Sequence, residues 1–415
     1  MSNHLTPLEP KADKATVRRH NLSLVLRAVR DAGEVTRAGV AAHVGLTRAA
    51  VSSLVEQLLE GGFLTESGKT FSGQAGRPGT ALKVARTGPA GLGVEINIDY
   101  VAVCVVDLAG TDRVRLVERL DNRGVPAADV LAHAARIASR ALESAAEQGL
   151  RPVGVELALP GLISGGTVRQ APNLGWQRVA VEGLFAQALS TLRRTERALP
   201  VSADNEANVA ALAELWFGGA PEGARTFVYV SGEIGIGGAL VLGGELLRGA
   251  HGFAGEIGHV AVDQLGPLCR CGAHGCLEQY AGQAALLKAA GLDDVAAGPG
   301  VAELERRARR GDERAVTALE QAGQKLGLVL SGAVNLFDPD AVVLGGIYRE
   351  LMPWLAPAVD RELTVRVVSG LWEPGSGRLR ASSSSGDAAR GAAALVVREV
   401  LADPLAYAQH GKPTE

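Results

Sequence analysis

Residues 255–279 read GEIGHVAVDQLGPLCRCGAHGCLEQ, and three of the four cysteines in this chain fall there within eight positions, downstream of a histidine. A loop this rich in glycine packs poorly as an apolar core, so the cysteines need another explanation. One imidazole and three thiolates, His259, Cys269, Cys271 and Cys276, form a closed tetrahedral donor set of the structural Zn²⁺ type, with no position left for a catalytic water. His274 and His251 are competing nitrogen donors. A site of this kind holds a loop in place rather than reacting. The chain must therefore fold so that one rigid loop sits where rigidity is useful.

Carboxylates bracket the cluster: Glu256 lies three residues before His259, and Glu278 two after Cys276. If His259 binds metal through one ring nitrogen, the other is fixed as an N–H donor aimed at a ligand. The two glutamates can then accept from hydroxyls of the same ligand. Three clustered cysteines do not read as a disulfide framework, which fits a reducing compartment. The first twenty residues lack the apolar core of a signal peptide, and no apolar run reaches the roughly 18 residues that span a bilayer. The expectation is a cytoplasmic protein with no membrane partner.

The 415 residues exceed one ordinary core and suggest two or three domains. Charge divides them. Residues 1–87 carry 12 Lys and Arg against 7 Asp and Glu, a net +5, whereas the remainder carries 30 against 38, a net −8. That asymmetry suggests a small basic module that meets a polyanion, joined to an acidic body.

The basic segment has helix-turn-helix patterning. In TRAAVSSLVEQLLE (47–60), Thr47 caps a helix whose Val51, Leu54, Val55, Leu58 and Leu59 make one apolar stripe. Thr36 caps the short helix RAGVAAHV, which ends at Gly45, and a helix over 18–32 offers Leu22, Val25, Leu26 and Val29 as a third core face. After residue 60, short extended pieces alternate with turns, as in the wing of a winged helix. The outward set Thr47, Arg48, Ser52, Ser53 and Gln57 suits base edges and phosphates of double-stranded DNA, and Arg77, between Gly76 and Pro78, could enter a minor groove.

From residue 91 the text turns to strands, GLGVEINI, YVAVCVVDLAG and DRVRLVERLD, then a helix over about 126–148 and the strand PVGVELALPG. A similar order returns as TFVYVSGEI, GIGGALVLGG, ELLRG, helices after 280 and DAVVLGG. Two related α/β halves usually enclose a ligand in the cleft between them. Asn173 in APNLGW and Asp204, Asn205 and Glu206 in ADNEAN place amides and carboxylates at that cleft, a mixture that suits sugar hydroxyls. Cys104, in an apolar strand, reads as core.

Taken together, PNLGW, DNEAN, GEIGH and C-x-C-G-x-x-G-C-L-E, in that order behind a winged helix-turn-helix, resemble the ROK family of repressors and sugar kinases over about residues 15–402. The resemblance implies an α/β body of actin-like ATPase (ribonuclease H-like) type, duplicated in two halves over 88–402, behind a DNA-binding domain over 15–87. It implies zinc at His259, Cys269, Cys271 and Cys276. It also implies a monosaccharide or sugar-derivative effector at Asn205, Glu206, Glu256, His259 and Glu278, and a homodimer or homotetramer. The tail 403–415 is expected to be disordered.

Kinase members of that family carry Asp-x-Gly-Gly-Thr where this chain has Glu95-Ile-Asn-Ile-Asp99, and Gly-Thr-Gly-Ile-Gly where it has Gly232-Glu233-Ile-Gly235-Ile-Gly237. A carboxylate at 233 would face phosphates, and like charges at about 4 Å repel by roughly 4 kcal/mol at an effective dielectric near 20. Their catalytic aspartate matches Glu206, one methylene longer. These departures predict no enzyme but a sugar-responsive transcriptional regulator, a repressor of carbohydrate genes such as those for xylose. An ATP-dependent sugar kinase with a DNA-binding head and a constitutive DNA-binding protein are the rival readings.

Overall fold

The structure, a computed structural model, describes residues 13–70, 79–193, 198–217, 225–293, 297–370, 372–383 and 388–408. Its N-terminal part runs α1 (Lys14–Ala32), β1 (Val35–Thr36), α2 (Arg37–Val44), α3 (Arg48–Glu60), β2 (Leu64–Thr70) and β3 (Gly79–Val84). Both expected caps form: Thr36 Oγ1 accepts from Gly39 N and Thr47 Oγ1 from Ala50 N, each at 3.2 Å. Gly45 ends α2 at φ +71°, a left-handed turn that glycine takes without a Cβ clash, and α3 leaves at 115° to α2. Leu22, Val25, Leu26 and Val29 of α1 pack with Val51, Leu54, Val55 and Leu58 of α3, and a three-stranded sheet of order β1-β3-β2 closes the unit.

The first half of the body begins with the antiparallel strands β4 (Gly88–Ile96), β5 (Tyr100–Asp107) and β6 (Asp112–Arg119). Helix α4 (Ala127–Glu147) crosses over to β7 (Leu150–Leu159), which lies parallel to β4. A small antiparallel sheet, β8 (Leu162–Ser164), β9 (Thr167–Ala171) and β10 (Trp176–Val179), precedes α5 (Val181–Arg193). Then come β11 (Val201–Asn205), parallel to β7, and α6 (Glu206–Phe217). The second half repeats the plan with β12 (Phe227–Gly232), β13 (Ile236–Leu242) and β14 (Glu245–Leu246). Four helices follow, α7 (Glu278–Ala281), α8 (Gln283–Ala289), α9 (Ala297–Arg309) and α10 (Glu313–Phe337). After them come β15 (Ala341–Gly346), α11 (Ile347–Arg366), β16 (Leu379–Ala381), α12 (Ala388–Ala402) and α13 (Pro404–Ala408). Sheet orders β6-β5-β4-β7-β11 and β14-β13-β12-β15-β16 are the same diagram, with the first strand central in each.

Helix α12 does not stay with the second half; it returns to cover the first sheet. The alternation of Gly91 and Gly93 with Leu92, Val94 and Ile96 explains why. The large residues share a core with Val130, Leu131 and Ala134 of α4, while the glycines let α12 approach the other face. A Cβ on Gly93 would lie 1.9 Å from Ala389 O, and one on Gly91 would lie 2.0 Å from Ala393 O. Cys104 is fully buried in this second core, which extends through α12 into the head. The same continuity corrects the expectation of a disordered tail: residues 404–408 form α13, tied by Arg19–Asp403 at 3.4 Å and packed with α1, while 409–415 lie outside the described residues. Among the described residues no single helix is long and apolar enough to cross a membrane.

Candidate functional site: a cleft between the two halves

Asn173, Asn205, Glu206, Glu256, His259 and Glu278, far apart in the chain, all line one cleft between the halves. Topology brings them there. Asn205 ends β11, and its Oδ1 caps α6 by accepting from Ala207 N (2.8 Å) and Asn208 N (3.3 Å), while Nδ2 donates to Gly161 O and Glu206 Oε2. Its capping role is therefore structural as well. Glu206 opens α6, and Glu278 opens α7, where its Oε2 accepts from Ile236 N at 3.3 Å. Glu256 precedes the 3₁₀ turn Ile257–His259, and His259 ends it.

The four candidate metal ligands converge: one atom from each of His259, Cys269, Cys271 and Cys276 lies within 4.8 Å of the others. Cys271 Sγ and Cys276 Sγ are 3.6 Å apart, and Cys269 Sγ and His259 Nδ1 are 3.7 Å apart. Zn–S near 2.3 Å and Zn–N near 2.0–2.1 Å give tetrahedral edges of about 3.8 Å (S to S) and about 3.5 Å (S to N), so the donor set fits that ion. Burial, then the neighbouring sulfurs, push the Cys276 thiol up to about 12, so three thiolates here call for a cation between them. The competing nitrogens lie elsewhere: His274 Nδ1 bonds Gly266 O at 3.0 Å, and His251 lines a different surface hollow. The loop's tightness rests on Gly275, at φ +68°, where a Cβ would meet Asp263 O at 1.6 Å.

Sequence reasoning missed Arg270, between two of the ligands. Its Nη1 donates to Asn173 Oδ1 at 2.7 Å, joining the cysteine loop of the second half to the Asn173 turn of the first. Its place in the loop was legible; its reach across the cleft was not. Asn97, Ser231 and Glu233 also line the cleft.

The cleft is acidic. Glu206, Glu233, Glu256 and Glu278 line it against one arginine among the described residues. Desolvation pushes Glu233 up to about 8, with the Glu95, Asp99 and Glu350 charges adding to it. Glu206 rises well above the usual carboxylate range, first from burial and then from Glu95, Glu256 and Glu233. Glu95 itself is raised by burial; it accepts from Tyr100 Oη and, at 3.2 Å, from Ala389 N at the start of α12. The positive end of that helix is thus already matched by the protein's own carboxylate. Buried carboxyls raised in this way offer donors as well as acceptors, which suits a neutral ligand rich in hydroxyls, and among the described residues only Arg270 lines the cleft with a cation for phosphates.

In the head, Arg48 and Ser53 are exposed, Ser52 and Gln57 half-buried, and Thr47 exposed with its hydroxyl committed to the cap. Arg77 lies outside the described residues. Exposed Lys14 and Arg18 of α1 flank Ser53 in a shallow hollow, and Arg18 Nε donates to Gln57 Oε1 at 3.1 Å, extending the cationic face beyond α3.

Comparison with known proteins places these features. The ROK family model matches residues 91–399. The xylose repressor of Caldicellulosiruptor bescii is 30% identical over 341 residues, covering 78% of this chain and 82% of that protein. A solved ROK family transcriptional regulator, described as a homolog of the E. coli MLC protein, aligns with 95% of this chain and all of its own, with TM-score 0.76 and 24% identity. A ROK glucokinase from Streptomyces griseus, in complex with glucose and AMPPNP, aligns with 74% of this chain and 98% of its own, with TM-score 0.61 and 28% identity. The body has the sugar-kinase-like, actin-like ATPase type of fold with mixed sheets, and the chain belongs to the ROK family.

Proposed function

We propose that this chain is a sugar-responsive transcriptional regulator, a repressor of carbohydrate genes, with a winged helix-turn-helix head over residues 15–87 and a sugar-binding body over 88–402. One observation carries the reading: α12 touches both ends of the machine. In its first turn Ala389 N donates to Glu95 beside the cleft, and in its last turn Leu401 O accepts from Ser23 Oγ of α1 at 2.8 Å in a buried contact. Fifteen residues at 1.5 Å make a rod of about 22 Å. Sugar bound by Asn173, Asn205, Glu206, Glu256, His259 and Glu278 would close the halves and shift that rod, and with it the head. A tenfold change in operator affinity needs a difference of only about 1.4 kcal/mol between the two states.

His259 Nδ1, Cys269, Cys271 and Cys276 would hold Zn²⁺, which supplies a fixed tetrahedral anchor when bound. His259 then turns its Nε2 toward the ligand, and Arg270 is carried to Asn173. Arg48, Ser52, Ser53 and Gln57, with Thr47 starting the helix, would contact the DNA together with Arg77, and Lys14 and Arg18 its phosphates. A homodimer would set two α3 helices about 34 Å apart on a palindromic operator. A cleft lined with one arginine among the described residues, and an α12 terminus already bonded to Glu95, would leave the body without the phosphate contacts a kinase needs.

Selection from a random duplex library, followed by anisotropy titration with and without each monosaccharide, tests the reading. A selected palindrome released by one sugar is the expected result. No selected sequence, or affinity indifferent to every sugar, overturns it.

A further inference from the structure

A second hollow opens beside the sugar cleft and shares Ile98, Ile234 and Arg270 with it as a common wall. Its floor is aliphatic, made by Ile98, Leu120, Ile234 and Leu287. Its rim is charged in both signs: Arg119 and Lys288 are exposed, and Arg123 Nε holds Asp121 Oδ1 at 2.8 Å. An anion-binding pocket would present cations with their donors free and no acid among them. Here an acid interleaves with the bases over an apolar floor. That combination matches a pyranose ring, which lays its C–H face on aliphatic side chains and offers equatorial hydroxyls to donors and acceptors alternately.

Resting on the sugar-binding reading above, we infer that the effector is a disaccharide: one unit sits in the acidic cleft at Glu206, Glu256 and Glu278, and the second lies in the adjoining hollow over Ile98, Ile234 and Leu287. Arg270, which lines both and is held by Asn173, spans the glycosidic junction. The proposed monosaccharide contacts then fix one ring, while the second hollow sets how long a saccharide is accepted.

The test is calorimetric titration of the full chain with xylose, glucose, galactose and mannose, and with xylobiose, cellobiose, maltose and lactose. One disaccharide should bind at least tenfold tighter than its component monosaccharides, a gain of about 1.4 kcal/mol. Ala284→Trp fills the hollow from an exposed position on α8 and should abolish the gain while leaving monosaccharide affinity unchanged. Arg119→Ala, also exposed, should lower only the disaccharide affinity. Disaccharides binding no tighter than monosaccharides, or Ala284→Trp weakening both alike, would overturn the inference while the sugar reading stands. A 6-phosphorylated monosaccharide outbinding every disaccharide would overturn it in favour of an anion pocket. Binding of no saccharide of either size would sink the sugar reading itself.

Discussion

Arg270 Nη1 lies 2.7 Å from Asn173 Oδ1, and this bond joins the cysteine loop to the opposite lip of the cleft. Both residues line the ligand space, so the bond is worth most when a ligand draws the halves together. Arg270→Ala and Asn173→Ala should each weaken sugar binding by up to about tenfold, while the double variant loses less than the two losses added. The contact is exposed, and a coupling of about 1 kcal/mol is the expectation from such a hydrogen bond. Calorimetry on the four proteins measures it; strictly additive losses would show that the two residues act separately.

Metal content offers a separate test. Freshly prepared protein should contain about one zinc per chain by elemental analysis, and Cys269→Ser should lose most of it. Because the cluster pins the loop bearing His259 and Arg270, the variant should lose sugar binding and melt at lower temperature. Its head shares its core with β5 and α12 and with no residue of the cysteine loop, so it should still bind operator, and the variant represses without being released. Retention of the sugar response in metal-free protein would remove the organising role given to the cluster.

The elements that sequence makes legible here are those whose cause is local. Thr36, Gly45 and Thr47 mark three helix boundaries through caps and a left-handed turn, and the structure has them where the text puts them. The metal set is legible because C-x-C-x4-C has few other uses. The two halves are legible because their strand order repeats. What escaped were relations across the chain. Nothing near residue 390 announces that α12 crosses back onto β4, although Gly91 and Gly93 hold the space for it. The helix after residue 403 has a local start signal in Asp403-Pro404 and good helix formers after it, but five residues are too few to hold a helix alone, and it is packing against α1 and α12 that makes PLAYA more than a tail. Arg270 is visible as a loop residue and invisible as a bridge, because Asn173 lies 97 positions away.

Acid in the cleft gives a pH signature. Glu233, at about 8 in the folded protein against 4.5 as its ordinary value, holds a proton that the unfolded chain has released. Its stabilising contribution is full below about pH 4.5 and is lost as pH rises through about 8. Glu156, at about 7 through burial, acts in the same direction. Wild-type protein should therefore melt progressively lower from pH 5 to pH 8.5. Glu233→Gln has no proton to lose and should flatten that slope without erasing it, since Glu156 and Glu206 remain. Thermal melts at half-unit intervals decide the matter; parallel slopes for the two proteins would mean that Glu233 is not held protonated.

Finally, if α12 is the transmitter, cutting its last bond should separate sensing from release. Ser23→Ala removes the hydroxyl that donates to Leu401 O and leaves a buried carbonyl without that donor, which costs about 1–3 kcal/mol. The damage falls on the seam between α1 and α12, away from both the cleft and the outward face of α3. Sugar affinity of the body should therefore stay within about twofold of wild type. Operator affinity without sugar should change little, whereas its loss on adding sugar should shrink several-fold, because the head no longer follows the rod. Ser23→Thr keeps the donor and should restore part of the response. Anisotropy titrations with and without saturating sugar separate the two effects: a variant that releases DNA as wild type does would place the coupling elsewhere in the seam.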